Sequence, residues 1–291
     1  IRELEKRNEK FLGIGREECD ILNYKNLLKI AENFRPDVVI NCAALVGGIK
    51  ANKKYQYDFF EINNNLQNNV LRLVKDLNIP KVVLINSNCA YPANAKQPYL
   101  EKDFLNGSPQ QSNLGYASAK RMGLIGGNLL EEQYGIKTYH PIPCSLYGVN
   151  DNFNLENSHF VAAAIRKIAV AKNDNRSEIT FWGSGTPKRE FMYVDDAIDG
   201  ILYMLKKDIS SNPVNICWGE DAPIKDVINI LSKLIGYEGI IKWDRSKPDG
   251  ALQKLQNPTL LKSLGWEPSI KLEDGLKKTL DWYNNSSNIR L

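Results

Sequence analysis

Histidine is scarce in this 291-residue chain, which holds two, and cysteines in metal-ligand spacing are missing altogether. The five cysteines (Cys19, Cys42, Cys89, Cys144, Cys217) are an odd number, widely spaced and without a CxxC. That argues against a disulfide framework or a zinc site, and for reduced thiols in a cytoplasmic protein with no bound metal. No apolar run approaches the roughly 20 residues of a membrane-spanning helix, and no signal peptide is visible. Net charge is +4 with the basic residues scattered, so the stripe that marks a nucleic-acid binder is absent. Repeats and low-complexity segments are absent too. Also lacking is a G-x-G-x-x-G or G-x-x-G-x-x-G where a dinucleotide fold needs one, the turn whose amides cradle a pyrophosphate at a helix N-terminus.

What is present is an alternation of strand-like and helix-like segments, the pattern of a parallel sheet covered on both faces. Ile1 to Arg7 reads as the end of a helix, Lys10 to Gly15 as a strand, Tyr24 to Asn33 as a helix and Asp37 to Asn41 as a buried strand. Phe59 to Leu77 reads as a helix, Lys81 to Ile85 as a buried strand, Leu114 to Tyr134 as a long helix and Lys137 to Pro143 as a strand. Beyond about residue 150 the rhythm changes to loops, short strands and helices. The expected fold is α/β: a Rossmann-like doubly wound parallel sheet over 1–153 and a smaller α/β substrate domain over 154–291, with some segments returning to the first. Because the chain opens inside what the pattern makes the first helix, the first strand and its glycine-rich turn are expected to precede Ile1 in the intact protein.

Chemistry enters with Tyr116 and Lys120, in Leu114-Gly115-Tyr116-Ala117-Ser118-Ala119-Lys120. Four residues apart, they share one helix face. An ammonium beside a phenol favours the phenolate, which would let the tyrosine exchange protons near neutrality. The strand at Lys81 ends in Asn86-Ser87-Asn88-Cys89-Ala90-Tyr91-Pro92, at the sheet edge where open α/β sheets bind ligands. Ser87 there can bond the same substrate oxygen that Tyr116 protonates.

Ser87 with Tyr116-x-x-x-Lys120 resembles the extended, nucleotide-sugar-modifying branch of the short-chain dehydrogenase/reductases. Further segments narrow the resemblance to the GDP-L-fucose synthase family: Ala43-Ala44-Leu45-Val46-Gly47-Gly48-Ile49-Lys50-Ala51-Asn52, Asn152-Phe153 with Ser158-His159, and Trp182-Gly183-Ser184-Gly185 with Arg189-Glu190-Phe191. They are colinear over nearly the whole chain. The resemblance implies an enzyme that uses NADPH to reduce the C4 ketone of a GDP-4-keto-6-deoxy sugar after epimerising C3 and C5. It makes Ser87, Tyr116 and Lys120 the reductase set, with Lys120 holding the nicotinamide ribose and lowering the phenol's pKa. Cys89 and His159 match the epimerisation pair: the C4 ketone acidifies its neighbouring C–H groups, a thiolate can remove such a proton and an imidazole can return one.

Arg16, after Gly13-Ile14-Gly15, stands where a basic residue would favour a 2′-phosphate and hence NADPH over NAD. Ala43 and Ala44 would run under the cofactor, and the resemblance makes His159 a cofactor-binding residue as well. Asn63 would shape its cleft or else sit on a helix surface. Val46, Gly47, Asn152, Lys167, Trp182, Arg189 and Lys254 match the GDP-sugar side, with Arg189 placed for the diphosphate. His140, inside a strand, and Asp195-Asp196, opening a helix, are read as structural. Gly123, Gly126 and Gly127 would let a helix pack closely, either a partner subunit's in a homodimer or one of the same chain.

The chain departs from the family at Ser145, Val149, Lys167 and Ala251-Leu252-Gln253. These departures leave the reductase chemistry intact and put the sugar in question. The rival readings are a 4-ketoreductase without epimerisation on another GDP-4-keto sugar such as a heptose, a 4-epimerase with tightly bound NAD, and a catalytically silent binding protein of the same fold.

Overall fold

A computed structural model describes residues 1–155, 158–210, 212–287 and 289–290, with only the backbone of Ile49. In chain order the elements begin α1 (Arg2–Lys6), α2 (Tyr24–Phe34), β1 (Val38–Asn41), α3 (Ile49–Lys54), α4 (Gln56–Asp76), β2 (Lys81–Leu84), α5 (Leu114–Tyr134) and β3 (Lys137–Pro143). They continue β4 (Ser145–Tyr147), α6 (Phe160–Asn173), β5 (Glu178–Trp182), β6 (Lys188–Arg189), β7 (Phe191–Tyr193), α7 (Val194–Lys206) and β8 (Pro213–Ile216). The last are β9 (Ala222–Pro223), α8 (Ile224–Ile235), β10 (Ile240–Asp244), α9 (Thr259–Ser263) and α10 (Leu272–Asn285). The chain divides into two compact units, residues 1–143 with 198–216 and residues 144–197 with 217–291.

The first unit is built on a parallel sheet in the order β1-β2-β3-β8. Val38 pairs with Lys81, Val82 with Thr138 and His140 with Pro213. Val82, Val83 and Leu84 are buried on both faces of the sheet, which is why that strand is a continuous aliphatic run and not an alternating one. One core gathers Val70, Leu73 and Val74 of α4 against Val82 and Leu84, and another gathers Ala117 and Leu124 of α5 with Tyr91, Phe104 and Ile142.

The strand expected over Lys10–Gly15 does not form. A strand exists by its ladder partners, and β1 pairs only with β2 among the described residues. The segment instead runs uncoupled into a turn at Arg16, where Glu18 Oε2 accepts from the Gly15 amide at 2.8 Å.

The second unit holds three two-stranded pairs, β5 with β10 and β4 with β7 in parallel, and β6 with β9 antiparallel. Its core packs Ile165 and Ile168 of α6, Val227, Ile228 and Leu231 of α8 and Leu276 of α10 around Phe153 and Phe191. Asp196 is structural, as read: its carboxylate accepts from Ser269 N and Oγ at 3.0 Å and from Ile270 N at 2.8 Å. Among the described residues no helix is long and apolar enough to cross a membrane.

His140 is fully buried in β3, its Nε2 3.0 Å from Thr138 Oγ1. Burial pulls its pKa down to about 3, with Glu131 opposing. The unfolded chain therefore binds a proton that the folded chain refuses between about pH 6.5 and about 3, and stability is lost as pH falls through that window. His140→Gln should remove that component, about 3 kcal/mol by about pH 4. Urea unfolding of both proteins across this range, read as the difference in slope against pH, checks it.

Candidate active site

β2 delivers the chain to the sheet's carboxyl edge, where Ser87 in extended conformation caps a 3-10 turn, Asn88–Ala90. Ser87 Oγ accepts from Cys89 N at 3.2 Å. Within the turn Ala90 N donates to Ser87 O at 3.0 Å and Tyr91 N to Asn88 O at 3.4 Å. The remaining carbonyls are gripped from α5 and the residue before it. Asn113 Nδ2 donates to Cys89 O at 3.1 Å, Arg121 Nε to Ala90 O at 2.8 Å and Lys120 Nζ to Ile85 O at 2.7 Å.

The start of α5 is fixed just as tightly. Gly115 N donates to Gln56 Oε1 at 2.9 Å, and a Cβ at Gly115 would lie 2.0 Å from the Gln56 carbonyl oxygen. Gly115→Ala must push α5 and α4 apart beside Tyr116. The expected cost is about 1–3 kcal/mol, read as a lower thermal midpoint together with lost turnover.

The Tyr116 ring meets Phe59 edge-on at 6.5 Å, and its hydroxyl faces Ser87 and Cys89. Burial pushes the phenol's pKa up, negative charge at Cys89 pushes the same way and the Ser87 hydroxyl pulls it down. The net shift is upward, the reverse of what the Tyr–Lys spacing alone suggests. The reason is geometric: the Lys120 ammonium lies 5.7 Å from the centre of the Tyr116 ring and gives its hydrogen bond to Ile85 O. Tyr116 thus keeps its proton at neutral pH, the state a proton donor needs. Lys120 is 5% exposed, and burial lowers its pKa to about 8, with Cys42 opposing.

Beyond β1 the chain runs without regular structure through the alanines. Ala43 N donates to Asn41 Oδ1 at 3.0 Å. Asn63 is 2% exposed, not on the helix surface, and holds Leu45 at both ends: Oδ1 accepts from Leu45 N at 2.8 Å and Nδ2 donates to Leu45 O at 3.0 Å. Asn52 Nδ2 donates to Gly47 O at 2.7 Å, while Val46 is exposed. Arg16 is exposed in its turn.

The other expected residues belong to the second unit. His159 is exposed and caps α6, its carbonyl accepting from Ala163 N at 3.0 Å. Asn152 Oδ1 accepts from Asn154 N at 3.0 Å. Lys167 donates to Thr180 O and lies 4.7 Å over the Phe181 ring, so its ammonium serves the packing of α6 on β5. Trp182 is exposed. Arg189, with Phe191, Trp218, Asp221 and Lys271, lines a cavity of about 450 Å³. The backbone at Lys254 accepts from Glu190 N at 3.3 Å.

Sequence reasoning missed Asn113 and Arg121, and it missed Glu190. Glu190 is 1% exposed, and its carboxylate accepts from Gly219 N at 2.6 Å and Gln256 N at 3.0 Å, next to the cavity wall. Burial pushes its pKa up to about 7 against those bonds.

Residues 1–217 match the model of the NAD dependent epimerase/dehydratase family. GDP-L-fucose synthase 1 of Arabidopsis thaliana is 37% identical over 266 residues, 91% of this chain and 82% of that protein. A GDP-L-fucose synthetase from Naegleria fowleri bound to NADP superposes with a TM-score of 0.91 at 27% identity, over 100% of this chain and 90% of that one. A GDP-6-OMe-4-keto-L-xylo-heptose reductase from C. jejuni superposes with a TM-score of 0.90 at 26% identity, over 97% of this chain and 92% of that one.

Proposed function

The chain belongs to the NAD dependent epimerase/dehydratase family, and from that premise we propose that it is an NADPH-dependent epimerase/reductase of GDP-linked 4-keto-6-deoxy sugars, as in GDP-L-fucose synthesis. The observation that carries this reading is the cluster of Ser87, Cys89, Tyr116 and Lys120 at the end of β2, in a chain similar to a GDP-L-fucose synthase.

The residues fit the cofactor. Lys120 is a buried ammonium whose single hydrogen bond among the described residues goes to Ile85 O, leaving N–H donors for ribose hydroxyls. Ala43 and Ala44 are small, and the Asn63 clamp on Leu45 fixes the loop they begin. Exposed Arg16 suits a 2′-phosphate. When bound, NADPH supplies hydride.

The chain's own residues handle protons. Cys89 as thiolate takes a proton from the carbon beside the ketone, the electron pair moves to the C4 oxygen, and His159 returns a proton to carbon from the other face. Tyr116 holds its proton for the C4 oxygen, and Ser87 orients that oxygen. Arg189 pairs with the diphosphate, and Val46, Gly47, Asn152, Trp182 and Lys254 contribute the rest of the sugar-nucleotide side, whereas the Lys167 ammonium is engaged by Thr180 O.

A second reading, reduction of another GDP-4-keto sugar without epimerisation, is favoured by the likeness to the heptose reductase. The engagement of Lys167 with Thr180 and of Gln253 with Asp221 supports it too, since both lysine and glutamine depart from the resembled family. Comparing kcat/KM for GDP-4-keto-6-deoxy-mannose and a GDP-4-keto-heptose decides between them. Failure to oxidise NADPH with either would favour a silent binding protein.

A homodimer through α5 is part of the same proposal, though its glycines are not the reason. A Cβ at Gly123 would strike Gln67 and one at Gly127 would strike His140, so these glycines serve packing within the subunit. Met122, Ile125 and Leu129 offer the surface instead, 50%, 39% and 58% exposed at helical spacing along one face. Light scattering should give twice the chain mass, and Leu129→Glu should give the monomer. A monomeric parent protein would contradict the dimer.

A further inference from the structure

Asn113 and Arg121 have no part in the chemistry above, yet both are committed to the turn that carries Cys89. A turn of three residues cannot satisfy its last carbonyls internally. Here the carbonyls of Ser87 and Asn88 are used within the turn, while those of Cys89 and Ala90 are taken by Asn113 Nδ2 at 3.1 Å and Arg121 Nε at 2.8 Å. Arg121 is itself braced, its Nη1 donating to Gly107 O at 2.6 Å. Asn113 is the residue that caps the start of α5 and Arg121 follows Lys120, so α5 and its N-terminal cap together present Tyr116, Lys120 and both clamps.

We propose that Asn113 and Arg121 are positioning residues for epimerisation: by gripping the carbonyls of Cys89 and Ala90 they set where the Cys89 thiol stands against the Tyr116 hydroxyl. This rests on the epimerase reading given above. The reductase side is anchored separately. The strand end before Ser87 is held by Asn86 N on Pro141 O at 2.8 Å and by Lys120 on Ile85 O at 2.7 Å. Loosening the two clamps should therefore displace Cys89 more than Ser87. A misplacement of about 1 Å at a reacting group can cost about 10²-fold in rate.

The test uses Asn113→Ala and Arg121→Met, with Arg121→Lys as the conservative variant that keeps a donor for the Ala90 carbonyl. Each is read in three ways. One is uptake of deuterium beside the ketone of GDP-4-keto-6-deoxy-mannose without NADPH, and another is NADPH-dependent reduction of the epimerised ketone. The last is alkylation of Cys89 by iodoacetamide, located by peptide mass spectrometry. Exchange should fall by about 10²-fold in the first two variants and recover in part with lysine. Reduction should be nearly unchanged, and the alkylation rate should shift. Equal losses of exchange and reduction with a lowered thermal midpoint would overturn the proposal, as would unchanged alkylation. If the parent protein itself shows no exchange, the epimerase reading fails, and the proposed positioning role in epimerisation falls with it.

Discussion

Tyr116→Phe is expected to slow reduction of the C4 ketone by about 10²–10⁴-fold, the usual range for losing a positioned proton donor. The substitution is clean. Phenylalanine keeps the ring that meets Phe59 edge-on at 6.5 Å, so no cavity opens and the thermal midpoint should hardly move. What disappears is the hydroxyl, the proton donor that faces Ser87. Because burial raises the phenol's pKa, the proton is present throughout the neutral range, and the parent rate should not rise with pH there as it would for a group that acts as phenolate. Single-turnover NADPH oxidation, followed from about pH 6 to about pH 9, measures both the loss and the profile. A Phe variant that reduces at the parent rate would remove Tyr116 from the mechanism.

Cys89→Ser is the second large effect, and it should be selective. A serine hydroxyl has the size of the thiol but is far harder to ionise, so it cannot serve as the carbon base. Deuterium exchange beside the ketone should drop by at least about 10²-fold, the low end for general base catalysis. Reduction of a ketone supplied already epimerised should survive, since Ser87, Tyr116 and Lys120 are untouched. The backbone around residue 89 is held by Ser87 Oγ, Asn113 and Arg121, so the turn should keep its shape. Equal loss of both reactions would mean that Cys89 is a packing residue after all.

Much of this site was legible because it is local. α5 has the bounds its periodicity suggests, closed by Gly135 with φ of 71° where a left-handed cap needs a glycine. β3 likewise spans Lys137–Pro143 as read, since a buried strand shows as an aliphatic and aromatic run. Residues 10–15 failed as a strand because a strand is completed by its neighbour, not by its own pattern. The Tyr116 pKa failed for a related reason. The spacing of tyrosine and lysine is local, but the burial of the phenol and the direction of the lysine's hydrogen bond are not. Glu190 was quoted only as part of a motif, because the amides that engage it come from residues 219 and 256. Asn113 and Arg121 were invisible for the same cause: a side chain's type is written in the sequence, and the carbonyl it reaches is not.

The central claim is that one site epimerises and then reduces a GDP-linked 4-keto sugar. The measurement that tests it most directly is NMR of GDP-4-keto-6-deoxy-mannose incubated with the protein in deuterated water, with and without NADPH. Deuterium at C3 and C5 without NADPH, followed by GDP-fucose when NADPH is added, is the predicted result. Reduction without any exchange would contradict it and leave a 4-ketoreductase whose substrate needs no epimerisation here.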